Sequence, residues 1–292
     1  MIKFWRCNGY KCAGIYDTNS NAKGSPMKLR IISDLHVDEN TDHRLFNWKD
    51  KDMLTLIAGD TAGEMDIAVS FVRKHFNNAI VIGGNHIVYE EKSKSIQQIH
   101  REYRAEFPLD SPITYLENDY KIIDDIVFIG ATLWTDYAYK WAVKDNIKDA
   151  INLMDFHKSC CYESANGKVV LLQPEHCLQM FRESLAFIKK THDHFAQSGK
   201  KMVLITHHGV SPQALDPRHK NDEDLNASFI SDLESYITTH LPQLNLIVHG
   251  HTHHRCSYKI GHIRVECNPC GYIDLREGWR KHSRNKDLIV EI

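Results

Sequence analysis

Leu29-Arg30-Ile31-Ile32-Ser33-Asp34-Leu35-His36 is the stretch that decides the fold, because a short run of branched apolar residues ends directly in residues that can bind a metal ion. Such runs predict buried β-strands. Four further runs end in the same way, namely 53–59 before Asp60, 79–84 before Asn85, 202–206 before His207 and 244–250 before His251. Because ligands collect beyond the carboxyl ends of parallel strands, these five strand ends predict one shared site.

The segments between and after these runs indicate the fold class. Predicted strands are 29–32, 53–58, 79–82, 122–129, 202–205 and 244–248, and helix-spaced apolar residues predict helices at 65–76, 95–107, 174–195 and 228–238. Strands that alternate with helices predict an α/β sheet. Late strands near 256–260, 263–266 and 288–292 leave no room for helices between them, which favours antiparallel pairing there.

The chain divides into an extension and one domain. Residues 1–26 contain several glycines and end in Pro26, which predicts an irregular or disordered extension. Regular structure is predicted to begin at Met27, and the sequence leaves open whether translation begins at Met1 or at Met27. We expect one domain over residues 27–292. Within it, residues 138–173 are polar and aperiodic, and we interpret them as a surface excursion or lid that shapes the pocket.

Composition limits the possible partners and the compartment. The 292 residues carry a formal net charge of -2, so no global basic field attracts nucleic acid or an anionic membrane. No apolar stretch is long enough to cross a bilayer and no secretory signal begins the chain, so we expect a cytoplasmic protein. Eight cysteines are present, and Cys267 and Cys270 form one isolated C-x-x-C that we interpret as a turn with incidental thiols rather than a zinc or redox site.

The order of the strand-end motifs resembles the calcineurin-like metallophosphoesterase superfamily. The motifs are Asp34-x-His36, Gly59-Asp60, Gly84-Asn85-His86, His207 and Gly250-His251-x-His253. The resemblance spans residues 27–292, and segments 130–136, 225–227 and 267–269 are similar to a bacterial subgroup whose substrates are mostly undefined. It implies a four-layer αββα sandwich, in which two mixed β-sheets are flanked by helices.

The resemblance also implies roles for individual residues. Seven side chains would hold two metal ions: Asp34, His36 and His253 the first, Asn85, His207 and His251 the second, and Asp60 both as a bridge. His207 is preferred over His208 because it follows the strand directly. His86 would face the substrate and stabilise charge or protonate the leaving oxygen, although Ile87 stands where an acidic residue commonly follows. We expect His249 and His254 to be structural or solvent-facing, and His157 to be a weaker candidate for substrate contact.

This donor set predicts the cofactor and the reaction. Imidazole and carboxylate ligands favour two divalent manganese, iron, zinc or nickel ions over calcium. We expect a phosphoesterase for a phosphomonoester or small phosphodiester of nucleotide type, with in-line attack by a metal-bridging hydroxide. The expected partner is a small phosphate ester and no membrane, while the oligomeric state stays open.

Two alternatives remain. A nuclease on the same fold would need a basic track with stacking aromatic residues, for which the candidates are Arg276, Trp279, Arg280, Lys281, Arg284 and Lys286. A solvated basic loop also explains that stretch, and we prefer this interpretation. A non-catalytic scaffold would have little reason to keep all seven ligands.

Overall fold

A computed structural model of the chain describes residues 3–7, 10–14, 26–43, 46, 48–91, 94–153, 156, 160–221, 223–272 and 287–292. The candidate nucleic-acid track at 276–286 and His157 lie outside these described residues. None of the helices in the described ranges has the length and apolar character needed to cross a membrane.

The described elements alternate between strands and helices. The strands are β1 (Lys3–Cys7), β2 (Tyr10–Gly14), β3 (Lys28–Ile32), β4 (Thr55–Ala58), β5 (Ala79–Ile82), β6 (Ile113–Tyr115), β7 (Asp119–Ile123), β8 (Ile126–Gly130), β9 (Cys161–Glu163), β10 (Val169–Leu171), β11 (Lys201–Ile205), β12 (Leu246–His249), β13 (Cys256–Ile260), β14 (Ile263–Cys267) and β15 (Leu288–Glu291). The α-helices are α1 (Met65–His75), α2 (Ile96–Glu106), α3 (Val143–Ala150), α4 (Pro174–Phe195), α5 (Glu223–Asn226) and α6 (Glu234–His240).

Two mixed sheets form the centre of the molecule. The first has the order β15-β3-β4-β5-β6, in which β3 to β6 are parallel and β15 is antiparallel to β3. The second has the order β13-β14-β12-β11-β8-β7, in which the four inner strands are parallel and the two edge strands antiparallel. The predicted antiparallel pairing of the late strands is therefore confirmed for β13 with β14.

Strand periodicity explains why the two sheets pack face to face. Ile31 and Leu56 of the first sheet pack with Phe128 and Val203 of the second in one apolar cluster. Successive side chains on a strand point to opposite faces, so neighbours such as Ile32 belong instead to a second cluster that includes the buried sides of α1, α2, α4 and α6. Helix, sheet, sheet and helix layers result, which confirms the predicted αββα sandwich.

Some element boundaries were predicted wrongly. The apolar run at 122–129 is two antiparallel strands, β7 and β8, joined at Asp124, which has a left-handed φ of 53°. The helix predicted at 228–238 begins only at Glu234, because Ile230 forms a β-bridge with Gly209 and keeps the preceding segment extended. Tertiary pairing in both cases overrides a local apolar pattern.

Two described segments of the predicted extension are strands. Strands β1 and β2 form an antiparallel hairpin in which Cys7 pairs with Tyr10. The two strands are separated in the sequence by Asn8-Gly9, a dipeptide that favours short hairpin connections.

The excursion at 138–173 contains regular structure as well. It includes α3 and the β9–β10 hairpin, and it buries Ala150, Tyr162 and Leu172 in the core. Glu163 accepts a hydrogen bond from Arg101 on α2 at 3.0 Å. The excursion is therefore packed onto α2, and its interpretation as a lid stays a prediction.

Candidate metal centre

The predicted site residues gather beyond the carboxyl ends of parallel strands from both sheets. Asp34, Asp60 and Asn85 follow β3, β4 and β5, while His207 and His251 follow β11 and β12. Three overlapping groups have ligand atoms within 4.8 Å of one another: Asp34 with His36 and His253, His36 with Asp60 and His86, and Asp60 with His207 and His251. Asn85 joins them because its Oδ1 lies 3.0 Å from Nε2 of His207. All eight predicted side chains are thus brought together.

Residues 268–271 connect the two sheets at this point. The side-chain amide of Asn268 donates to the carbonyl of Ile31 at 2.8 Å, and Pro269 forms a parallel bridge with Ser33. The amide of Gly271 donates to the carbonyl of Asp34 at 2.9 Å. These bonds hold the end of β14 against the end of β3, so the candidate ligands from the two sheets are kept close to one another.

Asp60 occupies the middle of the cluster. Its Oδ2 lies 3.2 Å from Nε2 of His207, 3.7 Å from Nε2 of His86 and 3.9 Å from Nε2 of His36. Its Oδ1 accepts a hydrogen bond from the backbone amide of His86 at 3.0 Å. A fully buried carboxylate with nitrogen donors on several sides has the position that a ligand shared between two ions requires.

Asp34 anchors the other half of the cluster. Nε2 of His253 lies 3.4 Å from its Oδ1, and the backbone amide of His251 donates to the same oxygen at 3.0 Å. The hydroxyl of Ser33 also donates to Asp34. Nε2 of His36 and Nε2 of His253 are 3.0 Å apart, so both nitrogens point into one small space.

The two adjacent histidines after β11 have different surroundings. Nδ1 of His207 lies 2.8 Å from the carbonyl of Ala58, which can only accept, so Nδ1 donates to it and Nε2 is the nitrogen that faces Asp60 and that a metal ion could bind in place of a proton. His208 stacks on Trp134 with ring centroids 5.2 Å apart and has its Nδ1 3.3 Å from the carbonyl of Thr132. The geometry favours His207 as the ligand.

The backbone of the site is unusual. Five of the predicted ligands have left-handed φ values between 43° and 67°: Asp34, His36, Asp60, His251 and His253. Such conformations cost non-glycine residues on the order of 1 kcal/mol each, and they persist where the surroundings determine them. Gly84, with φ of 84°, lies so close to Asp60 that a Cβ would be 2.7 Å from the Asp60 amide nitrogen. The strands end in tight turns that direct the side chains inward.

Buried charges perturb the ionisation of these groups. Burial alone would lower the pKa of His207, but the carboxylate of Asp60 raises it to about 9. For Asp60, burial alone would raise the pKa, yet His207 and His86 hold this pKa well below its usual value. Burial lowers the pKa of His36 to about 4 in spite of Asp60. Protons on some histidines therefore balance the carboxylates, and cations that bind here would displace those protons.

A cavity of about 500 Å³ opens beside the cluster. One part of its lining consists of the site residues Asp60, Asn85, His86, His251 and His253. The remainder combines the apolar and aromatic side chains of Tyr89, Leu153, Leu215, Leu225, Phe229 and Tyr272 with polar residues, namely Asp216, His219, Asn226 and Thr252. Leu153 comes from the excursion at 138–173. At the rim, Asp216 pairs with Arg218 at 2.6 Å.

Two tyrosines that sequence reasoning missed border the cluster. The hydroxyl of Tyr272 lies 3.4 Å from Nε2 of His86, and its ring stacks on His36 with centroids 4.3 Å apart. The hydroxyl of Tyr89 accepts a hydrogen bond from Asn85 at 3.2 Å. Tyr272 has no sequence signal, because only the pairing of residues 268–271 with β3 brings it to this place.

Comparisons with known proteins agree with this architecture. No family model matches the chain. An uncharacterized protein of Acanthamoeba polyphaga mimivirus is 24% identical over 281 residues, which cover 87% of this chain and 95% of that protein. The crystal structure of phosphopantetheinyl hydrolase from Mycobacterium tuberculosis superimposes with a TM-score of 0.61 and 17% identity, over 92% of this chain and 96% of that one. The chain therefore has the fold of the calcineurin-like metallophosphoesterase superfamily.

Proposed function

We propose that this protein is a metal-dependent phosphoesterase that hydrolyses a small phosphomonoester or phosphodiester at a dinuclear centre. The observation that carries the proposal is the pair of buried carboxylates, Asp34 and Asp60, which are 0% and 1% exposed. Among the described residues, their ion-pair partners are histidines, with no lysine or arginine. Ionised carboxylates are costly to bury without compensating charge, and bound cations would provide it.

The donor set fits two ions of the borderline type. Oxygen atoms of Asp34, Asp60 and Asn85 converge with the imidazole nitrogens of four histidines: His36, His207, His251 and His253. This mixture suits manganese, iron, zinc or nickel. We assign Asp34, His36 and His253 to one ion and Asn85, His207 and His251 to the other, with Asp60 between them. When bound, two such ions supply activated water and charge stabilisation for in-line displacement at phosphorus.

The protein side chains orient the ligands and handle the proton. Ala58 fixes the tautomer of His207, and Tyr89 holds the amide of Asn85 so that Oδ1 faces the centre. His86 is the general-acid candidate, because it lines the cavity and lies 3.7 Å from Asp60 without being enclosed. Protonation of the leaving oxygen by Nε2 of His86 would complete ester cleavage, and the Tyr272 hydroxyl at 3.4 Å can position that ring.

The cavity limits the substrate class. Its volume is in the range of small-molecule sites, and its apolar and aromatic wall suits an ester whose alcohol part is partly apolar, such as a nucleotide. The structural neighbour named a phosphopantetheinyl hydrolase adds phosphopantetheinyl esters to the substrates worth testing. We propose the cytoplasm as the compartment, because a chain of 292 residues does not need disulfide bonds to stabilise its core.

Hydrolysis of p-nitrophenyl phosphate and of bis-p-nitrophenyl phosphate, each with added manganese, tests the proposal. The wild type is compared with Asp60→Asn and with Asp193→Asn, which changes an exposed aspartate paired with Lys189. We expect Asp60→Asn to lose activity and bound metal while Asp193→Asn keeps both, and the preferred ester then distinguishes phosphatase from phosphodiesterase. If Asp60→Asn keeps the activity of the wild type, the proposed metal site is contradicted. If the folded wild type has neither activity nor bound metal, the alternative of a non-catalytic scaffold protein is supported.

A further inference from the structure

A second cluster of metal-binding side chains lies outside the dinuclear centre. Strands β12, β14 and β13 are neighbours, and His249 on β12 is paired with Cys267 on β14, which is paired in turn with Cys256 on β13. Directly paired residues on neighbouring strands project to the same face of a sheet. The ring nitrogen and the two sulfur atoms accordingly lie within 4.8 Å of one another.

The hydrogen bonds of His249 indicate which of its ring nitrogens carries the proton. Nδ1 of His249 lies 3.1 Å from the carbonyl of Gly250, which can only accept, so Nδ1 is the donor and Nε2 carries the lone pair. The hydroxyl of Tyr258 lies 3.3 Å from Nε2 and serves as its present partner. A carbonyl that fixes the tautomer of a histidine in this way is a common feature of metal-binding histidines.

Burial and chemistry separate this cluster from the dinuclear centre. His249 and Cys267 are 0% exposed, while Cys256 is partly exposed and gives solvent access. Two thiols and one imidazole form a soft donor set of the kind that selects zinc, whereas none of the seven ligands proposed for the dinuclear centre contains sulfur. The two sites therefore differ in the donor atoms that they offer to a metal ion and in the spectroscopic signatures that a bound metal would give.

We propose that His249, Cys256 and Cys267 form a third metal site, which binds Zn²⁺ through one nitrogen and two sulfur atoms with water as the fourth ligand. On binding, both thiols release their protons to solvent and coordinate as thiolates. The ion would join the ends of β12, β13 and β14 directly before His251 and His253, and so stabilise the turn that carries two of the proposed dinuclear ligands.

Metal content and cobalt spectroscopy of the full chain test this site. Cobalt bound to thiolate gives sulfur-to-metal charge-transfer absorption in the near ultraviolet, which oxygen and nitrogen ligands do not produce. We expect this absorption in the wild type, in Cys161→Ser and in Asp60→Asn, and its loss in Cys256→Ser and Cys267→Ser. Zinc measured by elemental analysis should fall by one equivalent in the same two variants. Cys161 is a matched control because it is also partly exposed and is not in the cluster.

Several results would overturn the proposal. Folded wild type without the charge-transfer absorption, or equal zinc in Cys256→Ser and Cys161→Ser, would exclude the site. A disulfide between Cys256 and Cys267, detected by thiol titration after denaturation without reductant, would also exclude it. If the serine variants fail to fold, the charge-transfer absorption is compared between the wild type and His249→Asn. A change of this absorption in His249→Asn supports the site, and identical spectra of the two proteins contradict it. Esterase activity is not a readout, so this proposal and the proposed function fail separately.

Discussion

Gly59 and His207 are packed so closely that a Cβ on Gly59 would lie 2.6 Å from Cγ of the imidazole. Gly59 also has a left-handed φ of 93°. We expect Gly59→Ala to displace His207 and to reduce both bound metal and esterase activity by at least about 10-fold, in the range for disturbed ligand support. Elemental analysis and p-nitrophenyl ester hydrolysis measure this.

Gly199→Ala is the control for the glycine prediction. Gly199 has a similar φ of 72°, but nothing lies within 4 Å of its Cβ position. This variant should lose some stability from backbone strain and retain metal and activity. Equal losses of metal in the two variants would show that strain, and not displacement of His207, is responsible.

The adjacent histidines His207 and His208 should respond differently to substitution. His207→Asn removes the nitrogen that faces Asp60 at 3.2 Å, so we expect metal affinity to fall by more than about 100-fold. His208→Asn removes a ring stacked on Trp134 and should change affinity less than about 10-fold. Competition with a chelator measures both. The opposite ranking would assign the ligand role to His208.

His86 is expected to act on the proton and not on the metal. His86→Asn should lower kcat by about 100-fold to 10,000-fold, the usual contribution of a general acid, while both metal ions stay bound. The loss should be smaller for p-nitrophenyl phosphate than for an ester of a poorer leaving group, since a good leaving group needs less protonation. A large loss of metal in His86→Asn would instead make His86 a ligand.

Buried His100 should make stability depend on pH. Burial, with a contribution from Arg104, lowers the pKa of His100 to about 3, and its Nδ1 lies 2.7 Å from the hydroxyl of Tyr115. The unfolded chain, with a pKa of 6.5, binds more protons below that pH, so the stabilisation is complete above pH 6.5 and is lost as the pH falls toward 3.

Urea unfolding at pH 7 and pH 5 measures the contribution of His100. The single site should cost about 2 kcal/mol between these two values. His100→Gln keeps a hydrogen-bonding group of similar reach and should show a pH dependence that is weaker by about that amount. If both proteins lose stability equally, other histidines cause the acid sensitivity.

The sequence by itself determined the layers of the fold and the strand ends that meet at the candidate site. Branched runs such as Ala79–Ile82 must be buried, and the alternation of strand side chains provides one face for the other sheet and one for the helices. Asp34, Asp60 and Asn85 come together because the carboxyl ends of parallel strands meet at one edge, a rule that needs no coordinates.

Only the tertiary structure decided which atoms face each other. The proton on Nδ1 of His207 depends on Ala58, which is 149 residues away, and Tyr272 reaches His86 across 186 residues. Cys256 and Cys267 meet His249 because three strands pair in one register, whereas the local C-x-x-C pattern relates Cys267 only to Cys270. Local periodicity determines which face of a strand is buried, but the register between strands is set by long-range hydrogen bonds and packing, which no local pattern contains.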